Sequence, residues 1–175
     1  FPFKGDDLLR YADIKPNDSI NGEGVCVSLF VQGCEGKCPD CFNKETWNFN
    51  GGKPFGGREL QYIKRSLIAN GVKRNFSILG GEPLHPKNIK EVKTIINEIK
   101  AFDNSITIYV WTGYLFEDLL EFYGKEMFNN IDVLIDGQFI KDKKDVTLKL
   151  RGSSNQRIIN IKKTLDKNEI ILYNN

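Results

Sequence analysis

The run VCVSLFVQ at residues 25–32 leads directly into Cys34, Cys38 and Cys41, spaced C-x3-C-x2-C. The run is nearly all apolar and rich in β-branched and aromatic residues. It predicts a strand buried on both faces, as in a parallel sheet. The three cysteines then fall on the loop that leaves it. Three thiolates at that spacing can hold a cluster or a metal ion but leave one coordination position to something else. An iron–sulfur cube takes four ligands, so with three from the protein one iron stays open to a small molecule. Structural zinc wants four protein ligands, usually as two close pairs, and no second pair is present. His85, the single histidine, lies far downstream. Four cysteines in a chain of 175 residues do not make a disulfide framework. Cys26, inside the apolar run, reads as a small buried hydrophobe.

The remaining pattern alternates strand and helix. Leu60, Ile63, Leu67 and Ile68 fall at helical spacing, with Asn70-Gly71 as the stop. Residues 75–80 predict a second strand, ending in Gly80-Gly81-Glu82-Pro83. Ile89, Val92, Ile95, Ile96 and Ile99 stripe a helix. Residues 105–111 predict a third strand, ending in Thr112-Gly113. Phe116, Leu119, Leu120 and Tyr123 mark a short helix, and residues 131–135 a fourth strand ending in Asp136-Gly137. Residues 157–161 and 169–173 are candidates for two further strands. Residues 1–24 read as an irregular N-terminal extension, residues 141–145 as a solvated connection, and residues 162–175 as a C-terminal tail.

This alternation implies an α/β fold of mostly parallel strands with right-handed crossovers, in one domain spanning 1–175. It does not separate an open sheet from a partial barrel. A net charge of +2 gives no footprint for nucleic acid or an anionic membrane. No apolar run approaches a membrane span, and the opening FPFKGDDLLR lacks the apolar stretch of a signal peptide, so the expected compartment is the reducing cytoplasm.

In parallel α/β folds ligands bind beyond the carboxyl ends of the strands. The cysteine loop, Gly80-Gly81-Glu82, Thr112 and Asp136 all stand there. The glycine pair permits close approach of backbone to a ligand, and Glu82 can accept from an ammonium group. Thr112 and Asp136 share the placement without a specific motif, and either also suits a helix cap. His85, between two prolines, reads as a loop residue. RGSSNQR at 151–157 fits either the border of a site or an ordinary turn.

The cysteine triplet followed one strand later by GGE resembles the radical S-adenosylmethionine superfamily. Further stretches, NGEG at 21–24, GCEGKCPDCFNKETW, LGGEPLHP at 79–86, VWTGY at 110–114, VLIDGQF at 133–139 and RGSSNQR, resemble the activating enzymes of anaerobic (class III) ribonucleotide reductase. Asp40 stands where the superfamily often has an aromatic residue, and Phe42 follows the third cysteine instead. Glu23 replaces the proline of the usual NGPG. The resemblance implies a partial (β/α) barrel and a [4Fe–4S] cluster on Cys34, Cys38 and Cys41. It also implies S-adenosylmethionine held by Gly80, Gly81 and Glu82, with Asp40 and Phe42 near its adenosine. It further implies reductive cleavage to a 5′-deoxyadenosyl radical that takes hydrogen from a glycine of the partner reductase. The electron would come from a reductant such as flavodoxin or ferredoxin. An activase of another glycyl-radical enzyme, a radical deazaguanine synthase, and a zinc-binding interaction module are the competing readings.

Overall fold

The computed structural model describes residues 8–36 and 38–173. Its first strand, β1 (Arg10–Asp18), lies where the sequence reads as irregular. The strand is half-exposed, carries charges on both faces and contains Pro16, so no clean alternation marks it. Proline is tolerated because the register with the next strand shifts between Lys15 and Asp18, where no ladder hydrogen bond is required of it. β2 (Cys26–Val31) has every residue buried, as its composition predicts.

β3 (Lys53–Pro54) is a two-residue strand pairing with β1, and a single 3-10 turn forms at Lys44–Thr46. The long cysteine segment is therefore tied back to the sheet at two points rather than structureless. α1 (Gly57–Leu67) buries Leu60, Ile63 and Leu67, and the Glu59 carboxylate accepts from Gly56 N–H at 2.9 Å at its start. It stops one residue short of Ile68, which is exposed. β4 (Asn75–Gly80), α2 (Ile89–Phe102), β5 (Ile108–Trp111), α3 (Phe116–Tyr123) and β6 (Val133–Asp136) follow in the expected alternation.

β7 (Arg157–Asn160) pairs antiparallel with β6. The second expected strand, at 169–173, is reduced to one bridge between Ile159 and Leu172. In its place the chain turns into α4 (Ile161–Lys167), where the Asn160 side chain caps the helix by accepting from Lys163 N–H at 3.1 Å. Ile161 and Thr164 are its buried residues, a stripe too short to read as helical periodicity.

The seven strands form one sheet in the order β3-β1-β2-β4-β5-β6-β7, parallel from β2 through β6 and antiparallel at both edges. Because β2, β4, β5 and β6 advance in one direction, right-handed crossovers put α1, α2 and α3 on the same face. The main core bears this out: Val27, Leu29, Val31, Phe76, Ile78, Ile108, Val110 and Leu134 meet Leu60, Ile63, Ile95, Ile96, Ile99 and Phe116 there. The opposite face carries Tyr109, Val133 and Ile135 with Trp111, Ile158 and Tyr173 packed against them. Among the described residues no helix is long and apolar enough to cross a membrane.

Candidate active site

The carboxyl ends of β2, β4, β5 and β6 open onto one cavity of about 750 Å3. Cys34, Cys38 and Cys41 line it, as do Gly80-Gly81-Glu82, Thr112, Phe42 and Gly137. The convergence expected from strand order is thus present, with one exception. Asp136 is fully buried and does not border the cavity. Its carboxylate instead meets Arg157 at 3.0 and 2.5 Å and accepts from Phe116 N–H at 2.9 Å, at the start of α3. That is the capping role its position also allowed.

The cysteine segment leaves β2 through hydrogen bonds that fold it back on itself. Gly33 N–H donates to Thr46 O at 2.6 Å and Cys34 N–H to Trp47 O at 3.1 Å. The buried Gln32 amide donates to Glu45 O and Asn48 O at 3.2 and 2.8 Å. Two sulfurs receive backbone donors: Gly36 N–H to Cys34 Sγ at 3.3 Å, and Asn43 N–H to Cys41 Sγ at 3.4 Å. None of the cysteines is in a disulfide, and the three of the segment are each half-buried on the same wall. Among the described residues, no three His, Cys, Asp or Glu side chains converge at metal-binding distance, so the thiols share a surface without forming a closed ligand set. Three sulfurs with no fourth donor beside them among the described residues fit a cluster with one open iron better than structural zinc.

The glycine pair at the end of β4 has a steric reason that the sequence does not reveal. A Cβ on Gly81 would stand 2.6 Å from Gly33 O, and one on Gly80 2.9 Å from the backbone of Phe30 and Val31. Gly80 also has φ +102°, a conformation that favours glycine. The close approach is therefore between two strand ends. It is sealed by Gly81 N–H to Val31 O at 2.8 Å and Glu82 N–H to Gly33 O at 2.7 Å.

The Glu82 side chain extends this join to β5. Its carboxylate accepts from Gly113 N–H at 2.6 Å, Thr112 Oγ1 at 2.8 Å and Leu84 N–H at 2.9 Å. Burial pushes its pKa up to about 7, against the downward pull of those three donors. Thr112 is thereby a partner of Glu82, and both reach the cavity wall. Asn88, unremarkable in the sequence, ties the join from below, donating to Gln32 O at 3.1 Å and Glu82 O at 2.9 Å.

Asp40 and Phe42 are exposed and engage the connection between β6 and β7. Asp40 lies 3.4 Å from Lys141 Nζ, Phe42 stacks edge-on to Phe139 at 5.4 Å, and Lys144 lies over the Phe42 ring. RGSSNQR forms a turn that lies against the cavity. Gln156 Oε1 accepts from Gly152 and Ser153 N–H while its amide donates to Gly137 O at 3.0 Å, which closes a turn. Arg151, Gly152 and Gln156 of that turn line the cavity.

Residues 20–159 match the family described as a 4Fe-4S single cluster domain. The anaerobic ribonucleoside-triphosphate reductase-activating proteins of Salmonella typhi and Escherichia coli strain K12 are each 40% identical over 149 residues, covering 85% of this chain and 96% of the relative. The protein of that name from Enterobacteria phage T4 is 38% identical over 151 residues, 86% of this chain and 93% of its own. The chain belongs to the family of anaerobic ribonucleoside-triphosphate reductase-activating proteins. The stretch that matches the 4Fe-4S domain contains all three cavity cysteines, the Glu82 join and RGSSNQR. An iron–sulfur site is therefore the reading that donor chemistry and family share.

Proposed function

We propose that the chain activates anaerobic ribonucleotide reductase by generating a glycyl radical on it, using S-adenosylmethionine bound beside a [4Fe–4S] cluster on Cys34, Cys38 and Cys41. The observation that carries this reading is that those thiols and the Gly80-Gly81-Glu82 join line one cavity. A cluster held by Cys34, Cys38 and Cys41 would supply the one-electron chemistry for reductive cleavage of S-adenosylmethionine, from which the glycyl radical of the reductase would derive. The hard chemistry is the cofactors', and the chain supplies position and exclusion of water.

Within that division, Glu82 fixes the β4 and β5 ends relative to one another and is the acceptor we assign to the ligand's ammonium group. Thr112 orients that carboxylate. Phe42, which lines the cavity, is the residue assigned to the adenine ring, whereas Asp40 does not line the cavity and pairs with Lys141. Asp136 acts at one remove, by holding Arg157 and the first turn of α3. At about 750 Å3 the cavity has the size of an ordinary small-ligand site.

The singly wound sheet, with its helices on one face, supports a partial barrel of the radical S-adenosylmethionine type in one domain. A flavodoxin- or ferredoxin-like reductant and a cytoplasmic setting complete the proposal. It is tested by mixing the reconstituted protein anaerobically with the reductase, S-adenosylmethionine and a reductant. A glycyl doublet in the EPR spectrum is expected. Cleavage of S-adenosylmethionine with no radical on the reductase would point to another substrate.

A further inference from the structure

His85 has no part in the account so far, yet it is only 6% exposed and is surrounded by the cysteine segment. Its Nδ1 accepts from Lys87 N–H at 3.1 Å, which leaves the ring proton on Nε2. Nε2 stands 3.4 Å from Glu35 Oε2, and Glu35 directly follows Cys34. The other contact of the ring is Phe49, with centroids 4.7 Å apart. Phe49 in turn covers Gly33, where any Cβ would run into its ring. One imidazole, rooted in the turn after β4, therefore meets the segment at Glu35 and at Phe49, and it reaches Gly33 through the Phe49 ring.

We propose that His85 is a positioning residue for Cys34. Its ring packs on Phe49, which covers Gly33, and its Nε2 stands in polar contact 3.4 Å from Glu35 Oε2, so it braces the segment beside that cysteine and the thiol is presented to the cluster without rearrangement. This rests on the cluster reading above. The sequence gives the function no foothold, because Glu35 and His85 are fifty positions apart and neither belongs to the cysteine spacing. The contact draws on geometry alone: the Lys87 N–H sets the tautomer, and the tautomer sets which nitrogen faces Glu35.

The test compares His85→Gln, His85→Asn and Glu35→Ala with the wild type, each reconstituted anaerobically and challenged with an iron chelator. Both His85 variants lose the ring on Phe49, but only glutamine places an amide donor where Nε2 stands. Loss of one such polar contact corresponds to about fivefold in rate. His85→Asn should therefore lose iron about fivefold faster than His85→Gln, and Glu35→Ala about fivefold faster than wild type. Glu35 is exposed, so thermal unfolding of unloaded Glu35→Ala should match wild type. Equal rates for the glutamine and asparagine variants, or wild-type iron retention by Glu35→Ala, would overturn the proposal while leaving the cluster reading intact. A wild type that takes up no iron overturns both.

Discussion

The Glu82 carboxylate and the Thr112 hydroxyl, 2.8 Å apart and both buried, couple the end of β4 to the end of β5. This contact makes the cavity wall one unit instead of two loops. It also makes Glu82 a titrating group with consequences for the fold.

With its pKa raised to about 7, folded Glu82 binds a proton more tightly than the unfolded chain does. The sign follows from linkage: stability attributable to this group is fully present below the ordinary carboxylate pKa. It is lost as pH rises to about 7 and is constant above that. Glu82→Gln should flatten that part of the profile. It should also cost about 1–3 kcal/mol, since one amide oxygen cannot serve three donors. Urea unfolding of both proteins between pH 5 and 8, at about half-unit steps, reads the difference directly. Parallel profiles would show that Glu82 does not titrate in this window.

Gly81→Ala should be among the most damaging single-methyl changes. The added carbon would meet backbone atoms of Gly33, which no side-chain rotation relieves. A loss of about 2–3 kcal/mol is expected, with impaired iron uptake, because the strand ends that bracket Cys34 are pushed apart. Thermal melting and iron content, measured on the same preparation, check both parts.

Asp136→Ala removes the buried partner of Arg157 and the acceptor for Phe116 N–H. Breaking a buried pair from one side costs about 3–5 kcal/mol, somewhat less here because Arg157 is partly exposed and also has Glu117. Amide exchange at Phe116 should accelerate. An unaltered unfolding curve combined with weaker S-adenosylmethionine binding would instead place this carboxylate at the ligand.

Cys26→Ala should keep the full complement of iron. The thiol is enclosed in β2, burial pushes its pKa up to about 11, and it lies outside the cavity. The expected loss is about 1 kcal/mol of stability from the small void. Iron and sulfide per chain, compared with Cys34→Ala, decide the assignment.

Much of this arrangement can be read in the residues alone. β2, β4, β5 and β6 carry dense β-branched runs, and α1 to α3 carry apolar stripes, so local composition and periodicity agree with the fold. β1 escapes because it is half-exposed, covered on its outer side only by the two-residue β3, and so need not be apolar, and α4 because two buried residues make no stripe. At the site, spacing exposes the cysteines and strand order exposes Glu82 and Thr112. Asp136 shares that strand-end position, yet its side chain turns away to Arg157, a pairing created by the antiparallel β7. Asn88 and His85 act through contacts across the turn after β4, and no periodicity encodes those.

The central claim is that three thiolates leave one iron for the amino acid end of S-adenosylmethionine. Electron–nuclear double resonance of the reduced cluster with S-adenosylmethionine carrying 15N in its amino group tests it most directly. The account predicts a 15N hyperfine coupling characteristic of a nitrogen bound to iron. A spectrum with no such coupling, together with a fourth cysteine sulfur on the cluster, would contradict it.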